Sequence, residues 1–238
     1  MQNWTVEWFN AMVKAWQKQM LLPLPEKLKN RRAGKNEYEM GAFVLLGFIV
    51  GLAAVLAGGI AELFFNRFSG ALIFALAGWL LWIFHDHGRG DGLISQKLAD
   101  LLPGDVLPYR AVLPVFMTIL KYFLLFALFF KGGRCFLSLV FAGIFALEVL
   151  LIREAGFSPP VVNDSGRSVT VFWVVTALIV IFNFLLQPLC SVFAALVFAL
   201  MFHFCRMKNL SGSEVVNTIR YTGAAAGWLM LLCGILFI

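Results

Sequence analysis

Apolar runs close to the ~20 residues needed to cross a bilayer recur from one end of this 238-residue sequence to the other. A backbone buried in hydrocarbon must satisfy its own hydrogen bonds, so such a chain folds as a bundle of transmembrane helices. Composition agrees: 61% of residues are hydrophobic, 13% are charged, and mean hydropathy is +0.86. Too few charges remain to cover a soluble domain of this length, and a water-soluble fold is close to excluded. The expected fold is all-α: a polytopic integral membrane bundle of about seven spans, preceded by an amphipathic interfacial helix.

The spans are predicted at about 41–65, 69–85, 111–130, 135–152, 169–187, 188–205 and 222–238. Residues 1–40 form a separate unit, an amphipathic helix with a basic connector, and 41–238 form the transmembrane domain. In 3–20, Trp4, Trp8, Phe9, Met12, Val13, Trp16 and Met20 fill one arc of a helical projection. Asn3, Glu7, Asn10, Lys14, Gln17 and Lys18 fill the other. Three tryptophans beside two lysines suit a helix in the headgroup layer. Packing against the chain's own spans is the equal alternative. Glu7 and the lack of an apolar h-region argue against a cleavable signal peptide.

The formal charge of +6 marks one face of the membrane rather than nucleic acid. With the N-terminus inside, fifteen Lys and Arg lie on inner segments and three (Arg67, Lys131, Arg134) on outer ones. The positive-inside rule therefore predicts a multi-pass protein of the cytoplasmic (inner) membrane, N-terminus in and C-terminus out. The longer loops, 86–110, 153–168 and 206–221, then share the cytoplasmic face with the N-terminal arm. The four cysteines, Cys135, Cys190, Cys205 and Cys233, show no metal-binding spacing and read as inert thiols. No internal repeat supports an inverted-repeat transporter.

Chemistry-bearing residues gather at 84–93, FHDHGRGDGL, where the second span meets the cytoplasm. Asp86 and Asp91 can hold Mg²⁺, which takes one or two carboxylates together with phosphate oxygens and water. The glycines let backbone N–H groups approach phosphate. The plain alternative is a solvated turn with Gly88 closing the helix. Further along the same loop, Asp100 faces the headgroups if 93–102 form a short helix, and is otherwise surface charge together with Asp105. Lys121 lies mid-span, where an ammonium costs at least ~2.5 kcal/mol unless paired. Glu148 is a reasonable partner for it, and a substrate-facing lysine is the equal alternative. Glu62 can snorkel at the outer end of the first span, while Asn183 and His203 are expected to bond between helices. In 208–229, SGSE reads as a loop entering a helix, with Ser211 or Ser213 as cap and Gly212 allowing close backbone approach.

Taken in order, these segments resemble the cobalamin synthase family, the adenosylcobinamide-GDP ribazoletransferases. LPLPEKL at 22–28 is similar to the family's Leu-Pro-x-Pro element, and a glycine-rich first span follows. The central signature, Phe-His-x-Asp-Gly-Leu-Ala-Asp-x-x-Asp-Gly, meets FHDHGRGDGLIS here. Ungapped, it keeps Phe84, His85, Gly88 and Asp91, with His87 and Ile94 in place of aspartates and Asp86 one residue away. Aligned instead on Asp91-Gly92-Leu93, it puts Ser95 and Leu98 where aspartates are expected. The lysine of the next span corresponds to Lys121. Of the C-terminal Gly-Gly-x-Thr-Gly-Asp only Gly212 remains in place, flanked by Ser211 and Ser213, with Glu214 following. The CDP-alcohol phosphotransferase pattern, started at Asp91, keeps Gly92 but then fails: its later glycine falls on Asp105 and its later aspartates on Tyr109 and Leu113.

The resemblance implies a transferase that joins α-ribazole or its phosphate to adenosylcobinamide-GDP with release of GMP, late in cobalamin biosynthesis. It implies Mg²⁺ on Asp86, His87 and Asp91, with His85 and Asp91 catalytic. Arg89, Lys121, Ser211, Gly212 and Glu214 would contact the substrate. The implied partners are the corrinoid nucleotide, α-ribazole and the lipid bilayer, with no nucleic acid, and with room for other late-pathway enzymes and for further copies of the chain. Two other readings stand beside it: a catalytically silent scaffold that keeps the fold, and a small-solute transporter using Lys121 and Glu148.

Overall fold

The structure is a computed structural model that describes residues 4–20, 24–29, 38–86, 89–101, 107–154, 166–207 and 215–238. In chain order its helices are α1 (Trp4–Gln19), the single turn α2 (Glu26–Lys29), α3 (Glu39–Phe64), α4 (Arg67–Asp86) and α5 (Arg89–Leu101). They continue as α6 (Leu107–Phe130), α7 (Phe136–Glu154), α8 (Gly166–Leu186), α9 (Pro188–Met207) and α10 (Val215–Phe237). No strand occurs among the described residues. Seven helices, α3, α4 and α6 to α10, are long and apolar enough to cross a membrane, which makes the chain a polytopic helical bundle.

Short turns force neighbouring spans to run antiparallel. Only Phe65 and Asn66 separate α3 from α4, and only Gln187 separates α8 from α9. Lys131–Cys135 joins α6 to α7 through Gly132, whose φ of +88° suits a residue without a side chain. These turns collect at the end of the bundle that also holds Ile238: Gln187 donates to the Gly132 carbonyl, and Lys131 to that of Ile235. At this C-terminal end Arg134 pairs with Glu62, so Glu62 has a partner rather than simply snorkelling. The opposite, N-terminal end holds α1, the α4–α5 break and the start of α10.

α7 is the axis. In its most apolar stretch 83% of residues are buried, against 22% in those of α6 and α8, so the last two face lipid. Glycines set how closely α3 approaches the axis. A Cβ on Gly51 would stand 2.4 Å from the Ser138 Cα, and one on Gly47 2.7 Å from the Phe141 carbonyl oxygen. Leu137, Phe141, Phe145, Phe74 and Leu125 fill the interior around that contact.

The N-terminal helix packs on its own chain and keeps part of its apolar surface outside. Ala11 and Ala15 are buried and Trp8 meets Tyr38, whereas Trp4, Val6 and Phe9 remain exposed. Lys14 and Lys18 both reach Glu39, the first residue of α3, at 3.0 and 2.9 Å. Burial holds Lys18 below the ordinary lysine range; the hydrogen bond and charge of Glu39 oppose this, and Lys14 adds to it.

Several boundaries differ from expectation, and two of them bear on the site. α10 starts at Val215, seven residues before the predicted span, because hydropathy does not register first turns that carry Asn217, Thr218 and Arg220. The glycine-rich 84–93 segment is mostly helical: His85 and Asp86 end α4, and Arg89 already begins α5. Gly90 and Gly92 thus lie inside α5, not in an open turn.

Candidate functional site

Three polar side chains named from the sequence converge inside the N-terminal half of the bundle. His85, one residue before the end of α4, is buried against the Phe145 ring at a centroid distance of 4.3 Å. Its Nε2 lies 3.2 Å from Glu148 Oε2 on α7. Glu148 is therefore engaged by His85, a pairing the sequence did not suggest. The carboxylate also needs room. A Cβ on Gly223 of α10 would stand 2.9 Å from Glu148 Oε1, so glycine at that position leaves the acid its place.

Lys121 of α6 is 1% exposed and lies against aromatic faces. Its Nζ sits 3.7 Å from the centroid of Trp82 (α4) and 4.9 Å from that of Trp228 (α10). A desolvated cation–π contact is worth about 2 kcal/mol, comparable with the ~2.5–3.5 kcal/mol cost of a lysine at mid-membrane on insertion scales. Trp82 owes its position to another glycine, since a Cβ on Gly227 would lie 2.4 Å from its Cη2. One face of α10, Gly223 and Gly227, thus receives both the carboxylate and the indole. The glycine spacing in TGAAAGW was the signal that could have revealed this face. Nothing in the sequence distinguished Trp82 and Trp228 from other aromatic residues of the spans.

Below this cluster the described interior is mainly apolar. Leu125, Leu128, Phe136, Leu137 and Phe141 are buried between Lys121 and the C-terminal end. At the N-terminal end α5 lies across α10 and α6. Lys97 Nζ rests 4.2 Å from the Tyr221 ring centroid, and a cavity of about 300 Å³ opens between α5 and Pro114, lined by Gly92, Ser95, Gln96, Ala99 and Asp100. Asp100 lies on α5, exposed at the edge of this cavity. Ser95 is buried and donates to the Gly92 carbonyl at 2.9 Å, so this hydroxyl is turned into its own helix.

The remaining site residues divide by what the structure describes. The backbone places Asp86 at the last position of α4, and Arg89 and Asp91 in the first turn of α5. Their side chains, and His87, Ser211, Gly212 and Glu214 entirely, lie outside the described residues, as do Ser213 and Asp105. Among the described residues no group of three His, Cys, Asp or Glu side chains could hold a metal ion. Two minor expectations change. Asn183 bonds to the Ile179 carbonyl of its own helix, and His203 is exposed near the end of α9. The thiols are unbridged, and Cys205 meets the Thr222 hydroxyl at 2.9 Å. Comparison with protein-family models, with curated protein sequences and with solved structures gives no match.

Proposed function

We propose that this chain is a membrane-embedded transferase of the cobalamin synthase type. In this reading it joins α-ribazole, or its phosphate, to adenosylcobinamide-GDP at the N-terminal end of the bundle. The observation that carries the reading is the buried Lys121, His85 and Glu148 cluster, adjoining the helix break that bears Asp86, Arg89 and Asp91. Phosphorus-group transfer is mostly positioning and charge neutralisation, which needs fixed cations and oriented bases rather than covalent catalysis. Glu148 at Nε2 orients the His85 ring. His85 would serve as the base or orienting group for the attacking hydroxyl, while Lys121 and Arg89 hold phosphate oxygens. Asp86 and Asp91 supply the one or two carboxylates that Mg²⁺ takes beside phosphate and water, so the donor set fits that ion. Bound there, Mg²⁺ would neutralise diphosphate charge.

The apolar packing beyond Lys121 offers the transporter reading no support. The silent-scaffold reading draws on Ser95, which in one alignment replaces a family aspartate and here hydrogen-bonds within α5. Purified protein in liposomes, given adenosylcobinamide-GDP, α-ribazole and Mg²⁺, separates the two. The transferase reading expects GMP release that Asp91→Ala abolishes while thermal stability stays nearly unchanged. No GMP from the unaltered protein would remove it and leave the scaffold.

The same reading places the N-terminal end in the cytoplasm, supported by the asymmetry of Lys and Arg. On a cysteine-free background, cysteine at Gly90 should be labelled only from the cytoplasmic side and cysteine at Lys131 only from outside. Labelling of both from one side would overturn this orientation.

A further inference from the structure

An apolar cavity of about 280 Å³ lies at the other half of the bundle, between α8 and α9, with α7, Val44 and Met230 as its floor. Small side chains make the space: Ala142, Gly143 and Ala146 on α7, and Ala194 on α9. Its mouth is lateral. Trp173, Ala177 and Ala195 line the cavity yet are exposed on the faces that α8 and α9 turn to the bilayer. The lining carries one telling polar group. Ser191 is 1% exposed, borders the cavity, and its hydroxyl has no hydrogen-bond partner among the described residues. A buried hydroxyl left unpaired is disfavoured, and a native structure normally matches it with a ligand or water.

Depth identifies the match. Ser191 is three residues into α9, which begins at Pro188, so it sits roughly 5 Å below the C-terminal end of that span at 1.5 Å per residue. From there the lining descends α9 to Phe198, roughly 10 Å further into the hydrocarbon. A hydrogen-bonding group at the top and an apolar slot beneath follow the order of a phospholipid: ester carbonyl near the interface, acyl chain below.

We propose that this slot is a lateral binding site for one acyl chain of a membrane phospholipid, whose ester carbonyl accepts a hydrogen bond from Ser191 Oγ once the serine rotates about χ1 to turn its buried hydroxyl into the slot. The site is separate from the Lys121 cluster and does not depend on the transferase reading. The lipid enters between α8 and α9, which Gln187 joins at that end.

Native mass spectrometry of the full chain, released from dioleoylphosphatidylcholine nanodiscs into detergent, tests this. The unaltered protein should retain one phospholipid at collision energies that strip all others. Ser191→Ala removes a single hydrogen bond and should weaken retention about fivefold. Ala195→Phe fills the exposed mouth without disturbing the floor and should abolish retention, while Leu196→Phe on the neighbouring lipid-facing position should not. Equal retention by unaltered protein and Ala195→Phe, or no single retained lipid at all, overturns the proposal. Matching size-exclusion profiles for the variants exclude misfolding as the cause.

Discussion

Glu39 and Glu148 are both buried carboxylates, at 1% and 6% exposure, yet the bundle accommodates them in opposite ways. Glu39 opens α3 and is met by two long cations from α1, which keep 20% and 29% of their side-chain surface in contact with solvent. Glu148 lies within a span and is met by the imidazole of His85, 4% exposed, through a space left by Gly223. At a helix end, flexible lysines can reach in from the headgroup layer while keeping part of their hydration. Inside the bundle no such reach exists. The partner must stand on the next helix and a third helix must be cut away.

That contrast can be broken by removing each acid. Glu148→Ala leaves a buried imidazole without its carboxylate and should destabilise the fold by about 2–3 kcal/mol. Glu39→Ala leaves its lysines partly hydrated and should cost only about 1 kcal/mol. Reversible unfolding in mixed detergent micelles measures both, and equal costs would end the distinction.

Next in size is the space itself. Gly227→Ala pushes on the Trp82 ring and should cost about 1–3 kcal/mol, as overpacking does. Gly59→Ala, whose new methyl meets nothing within 4 Å, should instead be neutral or stabilise the helix by up to ~1 kcal/mol. If both behave alike, close packing by α10 is not what shapes the site.

A smaller effect sharpens the roles of His85 and Lys121. A double-mutant cycle between His85→Phe and Glu148→Gln should give a coupling of about 0.5–3 kcal/mol. The cycle between Lys121→Met and Glu148→Gln should give less, with Lys121→Met weakening binding of the corrinoid nucleotide more than stability. A larger Lys121–Glu148 coupling would make the lysine a structural partner of the acid. Least of all, the Lys14 and Lys18 contacts to Glu39 should each contribute about 0.2–1 kcal/mol and fade with added salt, whereas the His85–Glu148 pair should be insensitive.

The seven spans were legible because apolar runs of bilayer length have few other uses. Their ends were less so: Asn217, Thr218 and Arg220 made the start of α10 look like a loop. At the candidate site, Lys121 and His85 stood out by charge and by motif, and Glu148 was noticed but matched with Lys121 alone. Trp82 and Trp228 escaped because an aromatic residue in a span is ordinary until a cation is found over its face. Glu39 escaped because its partners lie 21 and 25 residues away, across a connector whose path no local pattern sets.

Sequence by itself determined that this chain is a helical membrane bundle, since hydrocarbon admits little else for runs of this length and composition. It also determined which residues are too polar to lie among lipid tails unaccompanied. Tertiary structure decided the company they keep. Partners for Glu148 and Lys121 depend on which faces of α4, α6, α7 and α10 meet, and that is set by glycine-lined close approach between helices. Side-chain contacts made across helices have no sequence period of their own, so only the packed bundle could assign them.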